Sequence, residues 1–264
     1  MAHSFVSKRH KLPFLQSLMT GDPVCKSPYI TGGRGTSVIT QRLEVDIVTD
    51  ANGDARGYVW PGGPLYISVD PTTGVQSFTT APDLVSIQAQ VEAARMTHLS
   101  LTIHPVESLT TTTGTLTLHS HNFDQSITTW NESQTVLSQR PHSKTMPLRR
   151  GGYGYGVGEN FVMEKFDMIV FQSGSPNTSH DGICQVKYSI SGATASTTVA
   201  KALVKASWEI VTEDQLLGPT VSIRNVKEYF DTMNFLERIP RCFPGDTSEL
   251  ELENYLDEVD AAYN

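Results

Sequence analysis

The chain has 264 residues, 38% of them hydrophobic and 18% charged, with a net charge of −8. That length holds one large β domain or two ordinary ones, and the shortfall in charge is filled by Ser, Thr and Gly, as in loop-rich all-β chains. No apolar run approaches the roughly 20 residues needed to cross a bilayer.

Charge is unevenly spread. Of the 28 acidic and 20 basic residues, 12 and 4 lie beyond residue 212, so the body is neutral and the tail carries the imbalance. Such asymmetry marks an interaction segment or a solvated tail. The N-terminus lacks an apolar core of signal-peptide length, so synthesis and retention in the cytosol are expected. There Cys25, Cys184 and Cys242, odd in number and far apart, are expected to stay reduced thiols. The sequons at Asn131 and Asn177 then carry no meaning.

Residues 1–35 read as a weakly basic arm. Lys8, Arg9 and Lys11 cluster there, Lys26 and Arg34 follow, and Pro13, Pro23, Pro28 and "TGGRG" break up any regular element. "TSVITQRLEVDIV" alternates as a half-buried strand, and Asn52-Gly53 then signals a hairpin. "ARGYVW" and "PLYISVD" follow as returning strands. In "APDLVSIQAQVEAARM" the apolar residues Leu84, Ile87, Val91 and Ala94 step by three and four, which predicts a helix entered at Pro82 and Asp83.

Strands are next expected in "THLSLTIHPV" and, beyond a threonine loop ending at Gly114, in "TLTLHS". A short helix near residues 126–137, a strand within 139–149, and strands at 166–173, 183–191 and 202–212 complete the series. Val226, Phe230, Met233 and Leu236 allow a further short helix, and Leu250, Leu252, Tyr255, Leu256 and Val259 set apolar anchors among the acids of the tail. About eight alternating strands with little helix point to an antiparallel sandwich rather than a βαβ sheet.

Chemical motifs are weak. "GGYGYGVGEN" lacks the following helix that would hold a pyrophosphate, and "TGGRGTS" lacks the Gly-Lys-Ser/Thr ending of a phosphate loop. Asp50, Asn52 and Asp54 have the spacing of the first EF-hand ligands, but the glycine and twelfth residue are wrong. They read as a hairpin turn, the second reading being a weak calcium site between subunits at Asp50 or Asp54. His119 and His121 point to one face of a strand with no third metal ligand evident, and read as solvent-face side chains. Nothing forms a nucleophile–base pair.

The order of pieces is more informative. A basic arm, a strand pair and "LVSIQAQVEAARM" run into "THLSLTIHPVESLTTTTGTLTLHSHNFD", where Arg95, Leu99, Leu101, Pro105, Thr111, Thr112, Thr113, Gly114 and Asp124 stand in a set order. This resembles the shell domain of small positive-strand RNA virus capsid proteins of the tombusvirus, sobemovirus and nodavirus-like group. "DGICQVKYSIS" and "ALVKASWEIVT" resemble its last strands.

The resemblance implies an eight-stranded antiparallel jelly roll with one or two short helices over residues 36–214; the acidic extension at 215–264, with a short helix, departs from it in place of a β-rich protruding domain. It implies a coat protein that assembles with itself into an icosahedral T=3 shell around RNA, made in the host cytoplasm and located in the virion. It implies no enzyme, no membrane and no cofactor beyond the calcium reading. Nodavirus-like precursors mature by cleavage after an asparagine, and this chain ends at Asn264.

RNA contact is expected from Lys8, Arg9, Lys11, Lys26 and Arg34, with Arg149 and Arg150 as a second patch. Subunit contact is expected from Trp60, Trp130, Tyr153 and Tyr155. Two rivals remain: a non-viral β-sandwich module recognising carbohydrate or protein, and a cupin- or hydrolase-like enzyme using His119 and His121.

Overall fold

The computed structural model describes residue 19 and residues 29–31, 37–59, 66–82, 91–106, 111–122, 131–156, 184–212, 221–223, 239–247 and 249–263. Their strands are β1 (Tyr29–Thr31), β2 (Ser37–Val48), β3 (Ala55–Val59), β4 (Tyr66–Val69), β5 (Gln76–Thr79), β6 (Val91–Pro105), β7 (Thr115–Asn122), β8 (Ser143–Pro147), β9 (Gly152–Gly156), β10 (Cys184–Ser191), β11 (Thr198–Thr212), β12 (Val221–Ile223) and β13 (Cys242–Pro244). The helices are α1 (Gln134–Ser138) and α2 (Glu249–Tyr263), and a 3-10 turn spans Leu148–Arg150. Among the described residues no helix is long and apolar enough to cross a membrane.

Eight strands make the sandwich, and their pairing is nested. In the chain order β2, β3, β6, β7, β8, β9, β10, β11, the first pairs with the last, the second with the seventh, the third with the sixth and the fourth with the fifth, always antiparallel. A long hairpin rolled on itself produces this pattern. Pairing of β11 with β6 and of β10 with β7 closes the roll. Two facing sheets result, β2-β11-β6-β9 and β3-β10-β7-β8, with β4 and β5 added outside β3 and β13 added outside β9. This is a jelly roll. A separate two-stranded ribbon joins β1 to β12.

Alternation turns one face of each strand inward. Leu43 and Ile47 of β2, Leu99, Leu101 and Ile103 of β6, and Ala202, Val204 and Ala206 of β11 meet Val59, Leu116, Leu118, Val186 and Ile190 in the interior. Each large side chain so buried contributes about 1.5–3 kcal/mol. Tyr66 and Tyr188 also point inward, and their hydroxyls bond one another at 2.5 Å. The hairpin signal at Asn52-Gly53 is met by a turn in which Gly53 takes φ +80° and donates to the Asp50 carbonyl.

Three segments differ from the sequence reading or add to it. The helix expected over 81–96 is strand from Val91 onward, because Ala93, Ala94, Arg95 and Met96 pair with Val211, Ile210, Glu209 and Trp208 of β11. A ladder partner overrides helical periodicity. Leu84 and Ile87 lie outside the described residues.

The glycine-rich run, given no element above, is a strand: "GYGYG" is β9, paired with β6 on one side and β13 on the other. Its glycines face inward where there is no room. A Cβ on Gly152 would meet Leu118 Cδ1 at 2.6 Å and Leu116 Cδ2 at 2.9 Å, and one on Gly154 would meet Val186 Cγ1 at 2.9 Å.

The acidic extension, thirdly, is not a free tail where it is described. It lays β13 and α2 onto its own sheet, with Leu256 of α2 buried. The strand at 166–173 and the helix on Val226, Phe230, Met233 and Leu236 fall outside the described residues, as do residues 126–130. The helix expected near them is the short α1, capped by the Ser133 hydroxyl, which accepts from the Val136 amide.

Candidate functional site

The site to be built is a set of surfaces rather than a cleft. At one end of the sandwich the β2–β3, β4–β5 and β10–β11 turns come together. Ser196 and Ala193 of the last turn donate to the carbonyls of Asp50 and Gly53 in the first, and the Thr49 hydroxyl donates to Thr194 O at 2.6 Å. Thr72 of the middle turn donates to Asp50 Oδ2 at 3.3 Å. Arg56 ties in the segment before α1, its Nη1 donating to Asn131 Oδ1 at 2.5 Å and to Pro71 O at 3.3 Å. Val48, Val75 and Val106 are 58%, 63% and 50% exposed near this end, so the knot of turns is polar within and partly apolar outside.

Asp50 and Asp54, the candidate calcium ligands, belong to this knot. Asp50 Oδ1 accepts the amides of Asn52 and Asp54 at 2.8 and 2.9 Å. Partial burial works against its charge, but those two amides outweigh it and hold the carboxyl below its usual range. Asp70 is held low in the same way by the amides of Thr73 and Thr72. Among the described residues no three His, Cys, Asp or Glu side chains converge as a metal site. Between the sheets beside this end runs a groove of about 390 Å³, rimmed by Asp46, Asp50 and Asp70 and floored by Tyr66 and Tyr188.

Arg149, Arg150, Tyr153 and Tyr155 lie on the opposite flank, where the structure brings them onto or beside β9. Arg149 is exposed. Arg150 grips Asp246 of the extension in a fork, Nε to both carboxylate oxygens at 2.8 and 2.9 Å. That hydrogen bond raises the arginine and lowers the aspartate from their ordinary values.

The two tyrosines, on alternate positions of β9, face outward where the glycines face inward. Tyr155 is nevertheless fully buried: its hydroxyl donates to Pro240 O at 3.3 Å and its ring stacks on Phe243 of β13. Phe243 in turn meets Tyr255 of α2 edge-on. Tyr155 is therefore used within the chain rather than offered on its surface, and Tyr153 is half-buried beside it. Lys8, Arg9, Lys11, Lys26, Arg34, Trp60 and Trp130 fall outside the described residues.

His119 is not a solvent-face side chain. It points away from the sandwich core, as the alternation demands, but is completely buried near α1. Its Nδ1 lies 3.0 Å from the Ser143 hydroxyl, which donates to Leu137 O. Sequence reasoning missed α1 as a cover, and Leu137, packed with Tyr58, Ile67 and Val69, was the available signal. On the outer face of the other sheet, β2 and β11 carry a charged ladder. Lys201 Nζ donates to Glu44 at 2.8 Å, which lowers the pKa of Glu44 and raises that of Lys201.

No family model and no curated relative matches the chain. Solved structures do. That of infectious bursal disease virus, Gx strain, superposes with a TM-score of 0.61 at 9% identity, covering 95% of this chain and 100% of that one. The VP2 subviral particle of the same virus gives 0.57 at 9%, covering 96% and 99%, and its T13 viral particle gives 0.57 at 10%, covering 95% and 97%. At such identities the likeness lies in the fold. The chain has the fold of a virus capsid shell domain.

Proposed function

We propose that the chain is a capsid protein that assembles with its own copies into an icosahedral shell enclosing a single-stranded RNA genome. The observation that carries this is the nested eight-strand roll, matched over nearly the whole of both chains by structures of a virus particle. The geometry suits repetition. A closed roll keeps its core to itself and leaves flanks, turn knots and outer faces for contact. Assembly would proceed by burying modest apolar patches such as Val48, Val75 and Val106 at contacts multiplied by symmetry. The near-neutral body limits repulsion between copies.

The basic arm supplies the RNA-neutralising charge in this reading, and the virion is where the protein acts. No catalytic step is part of it. Negative-stain electron microscopy of the expressed chain tests it: hollow spheres of uniform size support the proposal. A species that stays monomeric, or that binds a sugar or a protein as a lone module, supports the rival reading.

A further inference from the structure

The groove of about 390 Å³ beside the turn knot is a gap in the layering. Among the described residues β2 pairs with β11 alone, so its other edge is free, while the facing sheet continues past β3 through β4 and β5. The overhang leaves Tyr66 and Tyr188 as a floor and the exposed Val48 and Val75 on the walls. A free strand edge beside apolar side chains is a seat for an extended segment, whose backbone can join the ladder.

The lining also selects by charge. It holds three carboxylates, Asp46, Asp50 and Asp70, against one guanidinium, Arg56. Asp46 shares its field with Lys201, directly opposite on β11. Asp50 and Asp70 form no ion pair among the described contacts. Their partners are neutral amides and the Thr72 hydroxyl, which hold both carboxyls in the ionised form. Arg56 directs Nη1 to Asn131 and Pro71 rather than to either carboxylate.

A basic segment of the same chain starts within reach. Met19 is buried in a hollow of about 200 Å³ beneath the C-terminal segment, beside Thr102 of β6 and Lys205 of β11. Those residues lie level with the middle of β2: Lys205 opposes Arg42, and Leu203 opposes both Thr102 and Glu44. Up to two inter-strand steps and a few residues along β2 therefore separate Met19 from Asp46, roughly 15–20 Å. Lys8, Arg9 and Lys11 precede Met19 by eleven, ten and eight residues, a reach of at most about 28–38 Å for an extended chain.

We propose that residues 8–11 of the arm lie along the free edge of β2 in this groove, within the same chain, with their cations among Asp46, Asp50 and Asp70. There the arm covers Val48 and Val75, two of the patches assigned above to contact between copies. Single-stranded RNA, whose phosphates bind the same cations, draws the arm out and uncovers them. The groove is thus an autoinhibitory seat that couples assembly to the genome, and it rests on the capsid reading for its RNA.

Hydrogen–deuterium exchange of the full chain tests this, at concentrations where light scattering shows no particles. At low salt, Lys8→Gln, Arg9→Gln and Lys11→Gln combined should quicken exchange in residues 44–50 and 70–77 about fivefold, the scale of an exposed ion pair. Asp50→Asn with Asp70→Asn should do the same, since an asparagine oxygen still accepts the turn amides. Roughly 1 M salt should bring the wild type to the variants' level and leave the variants unchanged. A short oligouridylate should quicken the wild-type groove too. Equal low-salt exchange in the wild type and both variants would overturn the proposal. So would slower exchange on adding oligouridylate, which would put RNA itself in the groove. Protection that grows with protein concentration would also overturn it, because the occupant would be a second copy's arm. Particles that form while groove exchange ignores the arm refute the groove alone; the expected exchange in a chain that never forms particles refutes the capsid reading alone.

Discussion

The sandwich and the C-terminal segment are held in opposite ways. In the sandwich, β11 pairs with β2 over residues 198–210 and with β6 over residues 200–212, and the described inward side chains of the middle strands are covered. Among the described contacts of the segment at 239–263 are a strand of three residues, the exposed Arg150–Asp246 ion pair, a short row of rings and the buried Ile239, Cys242 and Leu256. Hollows of about 420 and 200 Å³ flank it on its two sides. Stability therefore resides mainly in the roll, to whose core the segment adds Cys242 of β13, while α2 is a cover with fewer ties to it. In the proposed shell, that division would keep the body constant while its contacts adapt.

The largest expected effect comes from breaking the roll. Leu118→Ala empties a site with no exposure, between β7 and the glycines of β9, and should cost about 2–5 kcal/mol in urea unfolding. Gly152→Val acts from the other side. Its Cβ would fall on Leu118 and Leu116 and should cost about 1–3 kcal/mol or more by overpacking.

The tyrosine pair inside the sandwich comes next. Burial pushes the Tyr66 hydroxyl up to about 12 from 10.0. A folded-state value above the unfolded one means its contribution is complete below pH 10 and is lost as pH rises toward 12. Two units correspond to about 2–3 kcal/mol. Alkaline titration followed by circular dichroism should show this decline, and Tyr66→Phe should lessen it without abolishing it, because burial also raises Tyr188 and Tyr58.

The cover should respond more weakly and more locally. Phe243→Ala removes the ring between Tyr155 and Tyr255. It should speed proteolysis of residues 239–263 while leaving the unfolding midpoint of the roll nearly unchanged. Asp246→Asn should be milder still, raising amide exchange around 239–247 and shifting no global midpoint. The smallest effect is expected from divalent-cation removal. Asp50 already spends one oxygen on two amides, so EDTA should leave the turn knot and any particles intact. Loss of particles on chelation would assign calcium a place at Asp50 or Asp54.

What was legible in the sequence follows the same division. Strands with strict alternation, such as β2, β7 and the far half of β6, announce themselves, and Asn52-Gly53 marks its turn by the positive φ that glycine accepts. The glycines of β9 were opaque because their role is to make room for Leu116, Leu118 and Val186, which come from other strands. The stretch from Val91 to Met96 has helical spacing, and only its partner on β11 makes it a strand. His119 and Tyr155 sit on the sides of their strands that face away from the core, where local pattern predicts exposure. Their burial comes from α1 and β13, distant pieces laid over finished sheets. Local pattern writes the layers, and nonlocal contact writes the covers.

The most direct test of the account is the mass of the assembled species. Sedimentation velocity of the purified chain across ionic strength and pH should reveal a discrete, fast boundary of megadalton size that dissociates to the 29.0 kDa chain. A chain that sediments at its monomer mass under every condition, while still folded as described, would contradict it.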